Sequence, residues 1–185
     1  MATILAGQTD KLALESRRAK EMMAAGRFEE AIPVYKRLTR EMPGNPGLLL
    51  DLALAEHLAG RERESIPSLE AVLRMQPRLA PALIALGAAR LALNQPQQAA
   101  EQYRKLTELS VDDPRAWYGL GASYEAIATD AFERLRGAGQ QSPYVAALIA
   151  DTRVQQRQYG SAFFFYHEAL KRLPNLHGIH AALAD

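Results

Sequence analysis

Apolar residues recur along this chain at steps of three and four, the mark of helices that each bury one face. Leu49, Leu52 and Ala53, with Glu56 in the same stripe, trace one helix, and Ser65, Leu69 and Val72 trace the next. Gly60 stands between them, where a residue in the left-handed conformation ends a helix cheaply. Pro77 closes the second helix, because it has no N–H to continue the ladder. Pro33 and Pro67 are expected in the first turn or so of their helices, where a missing N–H costs little. The pattern predicts helix, turn, helix, turn.

The same pattern then returns at a fixed interval. Small residues at Ala19, Ala53, Gly87 and Gly121 are each 34 residues apart. Ala31, Ser65 and Ala99 keep the interval, as do Tyr35, Leu69 and Tyr103, and Leu38, Val72 and Leu106. Gly26 and Gly60 are also 34 apart, with Asn94 next in line. Several independent series with one period describe a repeat architecture, in which stacked helix pairs bury a core that no single pair buries alone.

The register places units at 12–45, 46–79, 80–113, a shortened 114–142, 143–176 and a truncated 177–185, after an N-terminal extension at 1–11. That extension reads as flexible or as the remnant of a trimmed signal. It has no early Lys or Arg, and its apolar stretch is short for a complete signal peptide. From Pro114 to Pro143 is 29 residues, so five are missing, and they fall between Tyr124 and Ala128 where the turn belongs. The stripe Trp117, Leu120, Gly121, Tyr124, Ala128, Ala131, Phe132, Leu135 crosses the gap on one helical face, with no Gly or Pro between Tyr124 and Arg136. One long helix over about 114–136 is expected, roughly 34 Å in length, re-aiming the pair that follows it. The competing reading is a kink at Thr129–Asp130, with Asp130 and Glu133 opening a new helix.

Trp117, Leu120, Gly121 and Tyr124 fit W-x2-L-G-x2-Y, and Ala31-x3-Tyr35-x2-Leu38 with Pro43 and Ala99-x3-Tyr103-x2-Leu106 fit the second-helix pattern that accompanies it. The chain resembles the tetratricopeptide repeat family over residues 12–185. The resemblance implies an all-α fold, a right-handed superhelical solenoid of antiparallel helix pairs. It also implies a concave face, lined by the first helix of each pair, that takes up a peptide or helix of another protein. The matching positions include Lys20, Leu50, Leu54, His57, Ile84, Leu91, Tyr118, Glu125 and Asp151. Members that clamp the carboxylate of chaperone tails use a basic set. Here its counterparts are Ser16, Lys20, Asp51, Pro81 and Ala85, of which Lys20 alone is basic, so no such clamp is expected.

Composition narrows the function further. The 185 residues carry 22 Lys plus Arg against 21 Asp plus Glu, which disfavours a nucleic-acid surface. Residues 98–133 carry a charge of −4 and residues 134–185 carry +3, enough to orient a polar partner. The absence of cysteine excludes a disulfide scaffold, a thiolate zinc site and a Cys nucleophile. No apolar run approaches the ~18 residues of a membrane span. His177 and His180 share a helix face but lack the further ligands a metal needs, and Asp112 and Asp113 before Pro114 read as helix caps. In the run Phe163 to Tyr166, Tyr166 should face the core, while Phe163 and Phe164 either pack on the preceding pair or lie exposed. No catalytic residue, metal or cofactor is expected. The leading expectation is a non-enzymatic scaffold for a protein or peptide partner. The alternatives are the recognition arm of a larger enzyme or assembly factor, and self-association through the apolar groove or the end of the stack.

Overall fold

The computed structural model describes residues 2–137, 139 and 141–183, with side chains from residue 11 onward. Among them lie α1 (Ala2–Ala24), α2 (Phe28–Glu41), α3 (Pro46–Leu58), α4 (Glu62–Met75), α5 (Ala80–Ala92), α6 (Pro96–Leu109), α7 (Pro114–Gly137), α8 (Pro143–Gln155), α9 (Tyr159–Arg172) and α10 (Ile179–Ala182). No strand occurs among the described residues. The fold is an all-α repeat of antiparallel helix pairs. The chain forms two compact units, Met1–Ala126 and Ile127–Asp185. In the first, α1–α2, α3–α4 and α5–α6 pair, and α2–α3 and α4–α5 pack pair on pair. In the second, α8 and α9 pair. The helix α1 begins at Ala2, so residues 2–11 continue the first repeat helix.

Four turns reverse the chain by one device. A residue in the left-handed region stands at Gly26 (φ 72), Gly60 (φ 74), Asn94 (φ 56) and Arg157 (φ 58). The next residue's N–H reaches back five positions to a helix carbonyl, Arg27 to Met22, Arg61 to Glu56, Gln95 to Arg90 and Gln158 to Arg153, at 2.8–2.9 Å. These bonds satisfy carbonyls that a helix end leaves without a partner.

Each reversal drops a large side chain of the second helix onto a small residue of the first. Tyr35 meets Ala19 in one core cluster, Leu69 meets Ala53 in the next, and Tyr166 meets Ala150 in the second unit. In the α5–α6 pair a Cβ on Gly87 would stand 2.6 Å from Cε2 of Tyr103, so only glycine admits the ring there. The Ala31, Ser65, Ala99 and Ala162 series and the Leu38, Val72 and Leu106 series are buried throughout. Glu56, the polar member of its stripe, is buried and meets Lys36 Nζ at 3.1 Å.

The helix α7 does not reverse. It runs 24 residues, about 36 Å. No residue in it takes a positive φ. Asp130 pairs with Arg134 at 2.9 Å and Glu133 pairs with Arg136, both within the one helix, so the alternative start at Asp130 does not form. Ala116, Gly119, Leu120 and Ser123 are its buried residues. Trp117, Tyr124 and Phe132 are exposed.

Pro33 and Pro67 stand just past the first turn. Each is the sixth residue of its helix, in the second turn, because α2 and α4 start immediately after the left-handed turn residue and its successor. The N–H that each lacks would have met the carbonyl of Glu29 or Arg63. In the aromatic run, Tyr166 is buried and Phe165 packs partly on the second unit's core, while Phe163 and Phe164 are exposed.

Candidate functional site

The candidate surface is set by register on the first helices. Leu50, Ile84 and Tyr118 are 34 residues apart and occupy one position on α3, α5 and α7. Tyr118 is 80% exposed. Leu50 and Ile84 are half-buried. Leu50 and Leu54, both on the expected concave face, lay part of their surface on Ala53, Leu69, Ala85 and their neighbours. The reason is that α3 packs on α5 as well as on α4, which widens its buried stripe.

A second column, His57, Leu91 and Glu125, keeps the same interval. Leu91 is half-buried and Glu125 exposed. His57 Nδ1 lies 2.6 Å from Glu62 Oε2, which ties the end of α3 to the start of α4. Lys20 is exposed and stands 3.8 Å from Asp51. Burial pushes the Asp51 carboxyl above the usual range and the Lys20 ammonium draws it back. Burial first, and the Asp51 charge second, push the Tyr35 hydroxyl up to about 12. Of the positions that match the carboxylate clamp, Lys20 faces Asp51 and Ala85 is buried.

These eight residues belong to the first unit. Asp151 belongs to the second, where it lines a cavity of about 550 Å³ with Phe132, Tyr144, Tyr166, His177 and Ile179. The Tyr166 hydroxyl donates to Asp151 Oδ1 at 2.6 Å. Burial and that bond push Tyr166 up to about 12. Register analysis found Asp151 but not the cavity, because Tyr144 and Ile179 lie outside the repeat's diagnostic positions.

Asp113 and His180, two of the residues with chemical potential, have local structural partners. Asp113 accepts the Arg115 N–H at 2.9 Å and pairs with its guanidinium, which holds the carboxyl below the usual range, as a cap at the start of α7 should. His180 Nε2 donates to the Pro174 carbonyl at 3.0 Å. Among the described residues no group of three His, Asp or Glu could hold a metal ion. No helix among them is long and apolar enough to cross a membrane.

Models of the tetratricopeptide repeat match residues 22–65 and 84–143, together more than half of the chain. Tetratricopeptide repeat protein 37 of Xenopus laevis is 29% identical over 122 residues, which is 59% of this chain and 8% of that protein. The chain therefore spans a small part of that relative's length. Among solved structures, MamA 41-end from Desulfovibrio magneticus RS-1 aligns over 91% of this chain and 98% of its own, with a TM-score of 0.63 and 18% identity. The first TPR of Spaghetti (RPAP3), bound to the HSP90 peptide SRMEEVD, aligns over 64% of this chain and 94% of its own, with a TM-score of 0.60 and 23% identity. The Sgt2 TPR domain from Aspergillus fumigatus aligns over 71% and 84%, with a TM-score of 0.58 and 25% identity. The 34-residue register, the left-handed turns and these matches agree, and the chain belongs to the tetratricopeptide repeat family.

Proposed function

We propose that this chain is a non-catalytic protein-interaction module whose first unit binds a segment of a partner protein on the face of its first helices. The observation that carries the reading is Tyr118, 80% exposed at the end of the Leu50–Ile84–Tyr118 column. A large aromatic side chain left in water beside half-buried aliphatic ones is the usual composition of a binding hot spot. His57, Leu91 and Glu125 flank the column, and Lys20 with Asp51 closes one end, so charge sets the orientation of the bound segment more than its affinity. The related fold of Spaghetti (RPAP3) with a bound HSP90 peptide supports peptide capture in general. The pairing of Lys20 with Asp51 argues for an apolar or amphipathic segment here in place of a carboxylate-terminated tail.

The test is capture of a binding protein from native extract by the wild-type chain and by Tyr118→Ser, with circular dichroism establishing equal helicity. The substitution removes an exposed side chain, so stability should change little. Loss of the captured protein by at least tenfold is expected. Equal retention by both chains would sink the reading. Retention of single-stranded RNA that falls with salt would replace it with a nucleic-acid function.

A further inference from the structure

The cavity of about 550 Å³ beside Asp151 is lined only by residues between 132 and 182, so it belongs wholly to the second unit. Its walls are the end of α7, one face of α8, Tyr166 of α9 and the start of α10. Three of the lining side chains are rings, those of Phe132, Tyr144 and Tyr166. One is a carboxylate, Asp151, and among the described residues no lysine or arginine lines the cavity. The repeat does not call for a carboxylate there, since the same place in the preceding units holds Leu54, Ala88 and Ala122. The Tyr166 hydroxyl, on a residue 4% exposed, donates to Asp151 Oδ1 and fixes the carboxylate in the wall. The cations of the neighbouring helices are engaged elsewhere. Arg153 bonds to Gln156 and Gln158, and Lys171 and Arg172 pair with Glu168.

We propose that this cavity binds a basic side chain, a lysine or arginine carried on a segment of a partner protein. Charge complementarity selects the occupant. A carboxylate-ended tail would face Asp151 with no lining lysine or arginine to offset the repulsion. A wholly apolar side chain would strip water from the carboxylate and give it no donor in return. A basic side chain answers both parts of the wall. Its cation meets Asp151, where Oδ2 is left to accept because Tyr166 takes Oδ1. Its methylene stem lies against the rings, and an aromatic surface itself favours a cation. Phe132 and Tyr144 are both half-exposed, so they are open to an entering side chain. Tyr166 spends its proton on Asp151, which leaves its oxygen as a further acceptor. The volume is several times that of a simple amine and accommodates the chain that flanks the basic residue. The site uses no residue of the Tyr118 column in the first unit.

NMR titration of the isotope-labelled full chain tests the site with end-blocked peptides Gly-Leu-X-Leu-Gly, where X is lysine, arginine or uncharged norleucine. At about pH 8 an imidazole such as that of His177, which also lines the cavity, does not supply a competing cation. A basic peptide is expected to bind at least about tenfold more tightly than the norleucine peptide, with shifts centred on Tyr144, Asp151 and Tyr166. Asp151→Asn keeps an oxygen to accept from Tyr166 and should abolish that preference with helicity unchanged. Tyr144→Ala leaves the Asp151–Tyr166 bond alone and should weaken the basic peptide severalfold. Equal binding of charged and norleucine peptides, a preference that survives Asp151→Asn, undiminished binding by Tyr144→Ala or shifts centred elsewhere would each overturn the proposal. So would n-butylammonium bound as tightly as the peptide, which would make this a site for small amines. Tyr118→Ser should bind the basic peptides as the wild type does. A loss there would assign the peptides to the first unit, overturning this site and leaving the partner-binding column intact.

Discussion

In α5 and α6 the chain reverses at Asn94, φ 56, and the ring of Tyr103 comes down on Gly87. In α7 the same kinds of residue stand in the same order, Gly121 and then Phe132, yet no residue takes a left-handed conformation and the helix runs on. Both stretches have the apolar faces that a hairpin needs. They differ in the turn. Reversal takes a few residues that leave the helix, one of them at positive φ, and the five residues missing between Tyr124 and Ala128 are the ones that would supply it. Without them, the ladder of i to i−4 bonds is the cheaper way to satisfy the backbone, even though it leaves Trp117, Tyr124 and Phe132 in water. Side-chain complementarity selects the partner face, and the turn decides whether that face is reached within one chain.

The widest separation between the two regions should appear on truncating the large residue. Tyr103 is 5% exposed and is held between Gly87 and Gly119. Tyr103→Ala should cost about 3–5 kcal/mol in urea unfolding, as large aromatic deletions in cores do. Phe132→Ala, at a residue 46% exposed, should cost under about 1.5 kcal/mol. Equal losses would mean that Phe132 is packed as Tyr103 is, and the contrast between closed and open pairs would disappear.

Alkaline unfolding should act on the closed pairs next. The residues seated over the small positions include Tyr35 and Tyr166, both raised to about 12, and Tyr103, raised by burial, whereas α7 carries Phe132. A folded pKa above the unfolded value of about 10 means that the native state keeps a proton the unfolded chain gives up. The associated stability is complete below about pH 10 and is lost as pH rises toward about 12. Buried Tyr35 alone corresponds to a loss of about 3 kcal/mol. Urea midpoints followed through this range should fall steeply in the wild type and less steeply in Tyr35→Phe. The same slope in both chains would show that Tyr35 does not stay protonated in its core.

How much of this was legible in the sequence can be read from particular residues. The spacing located the turn glycines, and Gly26 and Gly60 do take positive φ. It located the long helix, because an unbroken three-and-four stripe with five residues deleted leaves no room for a reversal. It placed Pro33 and Pro67 near the starts of their helices, and they stand just past the first turn, since proline there is a preference that the repeat's packing overrides. It gave no measure of exposure. Leu50 and Leu54 looked spare beside the helix-pair stripe but also serve the contact of α3 with the next pair, while Tyr118 at the same register position as Leu50 is almost bare. Periodicity reports which face is apolar. What covers that face depends on elements distant in sequence, and this is why the open socket at Gly121 and the cavity beside Asp151 were not visible before the fold.

The smallest effect is also the one that changes sign between the two regions. Both Gly87 and Gly121 lie inside helices, where alanine is preferred to glycine by about 1 kcal/mol. At Gly121 the added methyl meets nothing, so Gly121→Ala should raise stability by close to that amount. At Gly87 the methyl would stand 2.6 Å from the ring of Tyr103, and that ring is pinned from the other side by Gly119, so it cannot move away. Gly87→Ala should therefore lower stability by about 1–3 kcal/mol, the cost of overpacking a filled core, in spite of the gain in helix propensity. Chemical denaturation of the two single variants reads both signs. Stabilisation by both substitutions would mean that the α5–α6 socket is as slack as the one in α7, and that the missing turn has no energetic consequence for the residues it would have buried.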